Sequence, residues 1–184
     1  AEDKGLKVAR VHTGDPAIYG AHREQMDRLD ELGIDYEVIP GVSSFLATAA
    51  VLKKEYTLPG VSQTVILTRM EGRTPMPPKE KLVDLAKHNA TMIIFLSVGM
   101  LDEMSAILRQ EYRPETPVAV VYKATWEDQK IVRGDLTNIA ERVKEAGITK
   151  TALTVVGDFL GNDYDLSKLY DKTFTTEFRK GVTE

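Results

Sequence analysis

Lys7-Val8-Ala9-Arg10-Val11-His12-Thr13-Gly14-Asp15-Pro16-Ala17-Ile18-Tyr19-Gly20 is the stretch whose reading decides the fold. β-Branched Val8 and Val11 open it as a short strand. Gly14 then permits backbone that other residues avoid, and the residue before Pro16 is pushed away from the helical region. The strand therefore breaks into a turn, and a helical pattern begins near Ala21. In open α/β sheets, ligands bind at such carboxyl ends of strands. Taken alone, Gly-Asp-Pro is only a turn.

Working outward, Met26, Leu29 and Leu32 recur at helical spacing between charges, and Gly33 stops the helix over 21–32. Ile34–Ile39 reads as a strand closed by Pro40-Gly41, and Ser43 or Ser44 caps an apolar helix over 45–52. Strand, turn, helix, twice over, predicts α/β architecture with parallel pairing. Tyr56–Ser62, with Pro59-Gly60, is the candidate boundary. Beyond it, strands are expected at 63–68, 91–96, 118–122, 129–133 and 152–156. Helices are expected at 79–87, 101–110 and 136–146. The two strands around Trp126 read as an antiparallel hairpin, so the second sheet is expected to be mixed. Three parts follow: a first α/β domain over 1–60, mainly parallel and incomplete; a second α/β domain over 61–161; and an extension over 162–184, expected to be extended or partly disordered.

Composition narrows the chemistry. Of 184 residues 42% are hydrophobic, enough for a real core, and the net charge of −4 argues against a general nucleic-acid binder. There are no cysteines, which removes disulfides, thiolate metal sites and cysteine nucleophiles. No apolar run reaches the length of a membrane span and no signal peptide is visible, so a cytoplasmic protein without membrane partners is expected. The phosphate-loop, dinucleotide-fingerprint, G-x-S-x-G and H-E-x-x-H motifs are all absent. The three histidines lack metal-ligand spacing, and no protein-bound metal is expected. His22 and His88 read as surface residues, whereas His12 directly precedes the turn and is a candidate neighbour of a ligand.

Three further places draw notice. Pro40-Gly41-Val42-Ser43-Ser44 leads into a helix start whose amides suit a polar ligand group. Thr68-Arg69-Met70-Glu71-Gly72-Arg73-Thr74-Pro75 carries two arginines, the side chains suited to gripping carboxylates. Tyr122-Lys123-Ala124-Thr125-Trp126 holds the single tryptophan. Each has a plain structural reading as a capped helix, a solvated loop or a hairpin aromatic. All lie at strand ends, and their coincidence points to one cleft.

On these residues the chain resembles the tetrapyrrole methylase family of S-adenosylmethionine-dependent enzymes. V-H-T-G-D-P-A-I-Y-G and V-I-P-G-V-S-S are shared widely in that family. Q-T-V-I-L-T-R-M-E-G-R-T-P, P-V-A-V-V-Y-K-A-T-W and the tail L-S-K-L-Y-D-K-T-F-T-T-E-F-R resemble the branch acting on precorrin-4. The resemblance implies methylation of C-11 of cobalt-precorrin-4, or of a related polycarboxylate tetrapyrrole, with S-adenosyl-L-homocysteine as product. It implies donor contacts at Thr13, Gly14, Asp15, Ile18, Ser43, Ser44, Leu96 and Ala124. For the substrate, His12, Arg69, Arg73, Lys123 and Trp126 are the candidates; no catalytic base is identified. Family members open with a strand and a G-x-G-P-G-D-P loop that this chain lacks, so it is expected to be a fragment, inactive alone. A homodimer is implied as well. Methylation of uroporphyrinogen III, and donor binding without turnover, are the alternatives.

Overall fold

Five strands form one mixed sheet: β1 (Val65–Arg69), β2 (Thr91–Phe95), β3 (Pro117–Tyr122), β4 (Lys130–Asp135) and β5 (Ala152–Val156), in the order β1-β2-β5-β3-β4. The computed structural model describes residues 4–182. They fall into two units, Ala1–Ala47 and Thr48–Glu184, and the sheet belongs to the second.

Register fixes which ends of the sheet coincide. β1 pairs parallel with β2, from Val65 opposite Thr91 to Arg69 opposite Phe95. β5 is antiparallel to both β2 and β3, so β1, β2 and β3 all run one way. Arg69, Phe95 and Tyr122 therefore end their strands on one side, where β5 begins at Ala152. The expected hairpin is present, with Pro117 opposite Asp135 and Tyr122 opposite Lys130.

Alternation along the strands builds the core. Met92, Ile94, Val118 and Val120 pack with Leu82 and Ala86 of α3 (Leu82–Ala86), with Met104 and Leu108 of α4 (Leu101–Leu108), and with Ile139 and Val143 of α5 (Ile139–Glu145). The intervening Ile93, Ala119 and Val155 are also fully buried. Strands buried on both faces read as continuous apolar runs, which is why 91–96 and 152–156 were legible. The helix expected over 79–87 is instead a 3-10 turn, Pro78–Glu80, followed by the short α3.

The first unit contains α1 (Arg23–Leu32), closed by Gly33 at φ 65° with its amide on the carbonyls of Asp30 and Leu29. Exposed pairs Arg23–Asp27 and Arg28–Glu31 line it. α2 (Ser44–Leu52) starts inside this unit and is apolar apart from Ser44 and Thr48. The segments read as strands at Val8–Val11 and Ile34–Ile39 carry no ladder among the described residues. A strand is held by its partner rather than by propensity, and Val8, Val11 and Ile39 stand 76%, 89% and 73% exposed.

In the described part of the tail, local hydrogen bonds gather the segment around Arg179. One Arg179 nitrogen donates to the carbonyls of Leu169, Asp171 and Phe174. Asp171 accepts from the Thr173 amide and hydroxyl, and Thr176 bridges Arg179. Bonds from polar side chains to local backbone leave no apolar period to read, so the sequence concealed this order.

Candidate functional site

In the first unit one carboxylate joins two turns. Asp15 Oδ1 accepts from the Ala17 amide at 2.8 Å and Oδ2 from the Gly41 amide at 2.8 Å, across 26 residues. Glycine permits the approach. A Cβ added to Gly41 would lie 2.1 Å from the Gly14 carbonyl oxygen, and one on Gly20 would lie 1.9 Å from that of Pro16. Gly14 itself sits at φ +71°, with its would-be Cβ 3.4 Å from Ser43 Cα and 3.7 Å from the Ser44 amide nitrogen. Ser43 is buried, and its carbonyl accepts from Leu46 and Ala47 at the start of α2. The Ile18 amide returns to the Asp15 carbonyl. The structure thus gathers Thr13, Gly14, Asp15, Ile18, Ser43 and Ser44 into one backbone-lined corner. Gly20 and Gly41 are the members that sequence reasoning left out; each follows a turn signal but has no side chain to announce itself.

The Gly41 bond, then the Ala17 bond, then the nearby His22 hold the Asp15 carboxyl below the ordinary value of 3.8. The folded value is the depressed one, so the link between the turns persists through neutral pH and fails only as acid passes the lowered value. The Gly41 amide resonance, followed by NMR, is therefore expected to titrate with a midpoint below 3.8. A midpoint at or above it would mean that the carboxylate does not hold the turn.

The second unit has its own cluster, at the sheet end where β1, β2 and β3 finish. Leu96 follows β2 at φ 54° and is 74% exposed. Lys123 follows β3 at φ 45° and donates its amide to the carbonyl of Thr151, itself at φ 55° before β5. Thr125 stands at φ 72°. Left-handed conformations of non-glycine residues cost about 1–3 kcal/mol each and gather where function demands them. Ala124 lies between two of these residues. Thr151 carried no sequence signal.

The candidate substrate side chains of this unit are differently employed. Arg69 donates to the carbonyls of Met70, Thr74 and Pro75, so it braces its loop. Ser97, which the sequence did not flag, accepts from the Met70 amide and donates to the Phe95 carbonyl, fixing the loop to the end of β2. Arg73 makes no ion pair among the described residues and is exposed. The Lys123 ammonium meets Asp128 at 2.5 Å and lies 5.1 Å and 5.2 Å from the ring centroids of Tyr122 and Trp126. Its pKa is raised, first by the Asp128 carboxylate. Trp126 keeps 61% of its surface exposed. Among the described residues no three histidine or acidic side chains gather to hold a metal, and no helix is long and apolar enough to cross a membrane.

Residues 1–140 match the family model of tetrapyrrole (corrin/porphyrin) methylases. The chain is 62% identical over 182 residues to the cobalt-precorrin-4 C(11)-methyltransferase of Methanocaldococcus jannaschii, covering 98% of this chain and 70% of that protein. It is 50% identical over 184 residues to the enzyme of that name from Priestia megaterium, covering 97% and 71%. A solved cobalt precorrin-4 methyltransferase, described as a cobalamin biosynthetic enzyme, superposes with a TM-score of 0.85 at 47% identity, covering 87% of this chain and 67% of the other.

Proposed function

The chain belongs to the tetrapyrrole methylase family, and on that premise we propose that it methylates C-11 of precorrin-4, with or without cobalt, in cobalamin biosynthesis. The observation that carries this is the 62% identity, over nearly the whole chain, to an archaeal protein whose name specifies that ring position. S-Adenosylmethionine, when bound, supplies the methyl group from its sulfonium centre and leaves as S-adenosylhomocysteine.

The residues present suit that donor. In the first unit, Thr13, Gly14, Asp15, Ile18, Ser43 and Ser44 are assigned to it, because the close turns expose amides beside a fixed carboxylate. In the second unit, exposed Leu96 and the backbone at Ala124 are assigned to the adenine end. Arg73 grips a substrate carboxylate, Arg69 shapes the loop that presents it, and Trp126 offers a flat apolar face with Lys123 pinned beside it. His12 is considered separately below. No protein nucleophile is required. Holding reactants in line can lower a barrier by roughly 7–11 kcal/mol, and positioning is what these residues supply.

The functional division is placed at residue 60, with the donor turns in 1–60, the strained sheet end in 61–161 and an extension over 162–184. A homodimer in the cytoplasm completes the reading, with neither nucleic acid nor membrane as partner; the net charge of −4 supports the exclusion of nucleic acid.

The test sets precorrin-4 and uroporphyrinogen III side by side with the full encoded protein that carries this sequence. Methylation of precorrin-4 is expected to dominate; preference for uroporphyrinogen III would overturn the reading, as would donor binding without turnover on either. Arg73→Glu is expected to raise the tetrapyrrole KM roughly tenfold while sparing the donor. Equal effects on both would remove Arg73 from substrate binding.

A further inference from the structure

Two imidazoles bracket the Thr13–Asp15 turn. His12 stands immediately before it. His22 closes the loop that follows and accepts, through its carbonyl, the amides of Gln25 and Met26 at the start of α1. Their ring centroids are 5.6 Å apart with planes inclined at 69°, an edge-to-face pair. Both rings are half-buried. The His22 Nδ1 edge lies against Gly20, where an added Cβ would come within 3.0 Å, so a missing side chain makes its place. Asp15 is close enough for His22 to lower its pKa, although both carboxylate oxygens are bonded to backbone. The other charged side chains flanking the pair along the chain are Arg10, Arg23 and Glu24, and Arg23 is paired with Asp27.

The reaction leaves a proton to be placed. The methyl–sulfur bond breaks with its electron pair remaining on sulfur, and two ring π electrons form the new carbon–carbon bond. The macrocycle thereby gains one positive charge, which it sheds as a proton. An imidazole is the side chain best suited to accept a proton near neutrality. Resting on the function proposed above, we propose that His12 accepts this proton on a ring nitrogen. His22 is its positioning partner, holding the His12 ring edge-on beside the donor turn.

The experiment uses the full encoded protein with S-adenosylmethionine and precorrin-4. His12→Gln is expected to lower kcat on the order of 100-fold or more, to leave donor affinity by calorimetry near that of the parent, and to abolish the acid limb of the kcat–pH profile. His22→Gln is expected to cause a smaller loss and a displaced acid limb, and added imidazole to restore part of the His12→Ala rate. Independently of turnover, the His12 ring resonances are expected to move when precorrin-4 joins the parent bound to S-adenosylhomocysteine. A raised KM with kcat and the acid limb intact would overturn the proposal and leave His12 a carboxylate contact. Unmoved resonances in a parent that turns over would overturn it too, whereas a parent that binds donor without turnover would overturn the function reading on which it rests. A parent that binds no donor would overturn the function reading itself.

Discussion

Asp15→Ala is expected to bind S-adenosylhomocysteine roughly tenfold to a hundredfold more weakly than the parent. The carboxylate bridges residues 13–15 to the Pro40-Gly41 turn through its bond to Gly41, and its second oxygen holds the local turn through Ala17. Alanine removes both acceptors at once, and with them the fixed negative charge beside the amides proposed to hold the donor. Asp15→Asn keeps one good acceptor and loses the charge, so it should fall between alanine and the parent. The sheet contains none of these atoms, and thermal unfolding of the second unit should be unchanged. Calorimetry on the three proteins decides the matter. Parent-like affinity in Asp15→Ala would remove this turn from the donor site.

Gly41→Ala is expected to be at least as damaging by a different route. Its Cβ would sit 2.1 Å from a backbone oxygen and 3.0 Å from the carbonyl carbon of Gly14, and neither atom can swing aside like a side-chain tip. Relief requires about 1 Å of backbone displacement. Misplacement of that size at a reacting centre can cost on the order of 100-fold in rate, so a comparable loss in kcat/KM for methylation is expected. Gly99→Ala is the control, because a Cβ there meets nothing within 4 Å. If Gly41→Ala retained parental kcat/KM, the close approach of the two turns would be irrelevant to catalysis. Loss in both variants would point to a general intolerance of added methyl groups.

Much of the second unit was legible in the sequence. The apolar runs at 91–96 and 152–156 are strands because both their faces are buried, and the 118–122 and 129–133 pair is the hairpin that Trp126 marked. Helix ends were read less well: the structure closes α4 at Leu108, and α5 begins only at Ile139 after a polar turn held by Asp135. Those boundaries depend on local hydrogen bonds that periodicity does not encode.

The sequence by itself determined the α/β class, the turn chemistry of Gly14-Asp15-Pro16 and the family to which the chain belongs, because these depend on residue identity and local spacing. Only the tertiary structure decided which groups are engaged. It turned Arg69 inward to three carbonyls and left Arg73 exposed, and it pinned Lys123 to Asp128 beside Trp126. It also left Val8–Val11 and Ile34–Ile39 without ladders among the described residues, and drew three local carbonyls of the tail around Arg179. Each of these outcomes depends on contacts between residues separated along the chain or on polar bonds without period. The Gly41 approach to Gly14 is the extreme case, since it consists wholly of backbone, and the only residue that permits it has no side chain for a sequence to display.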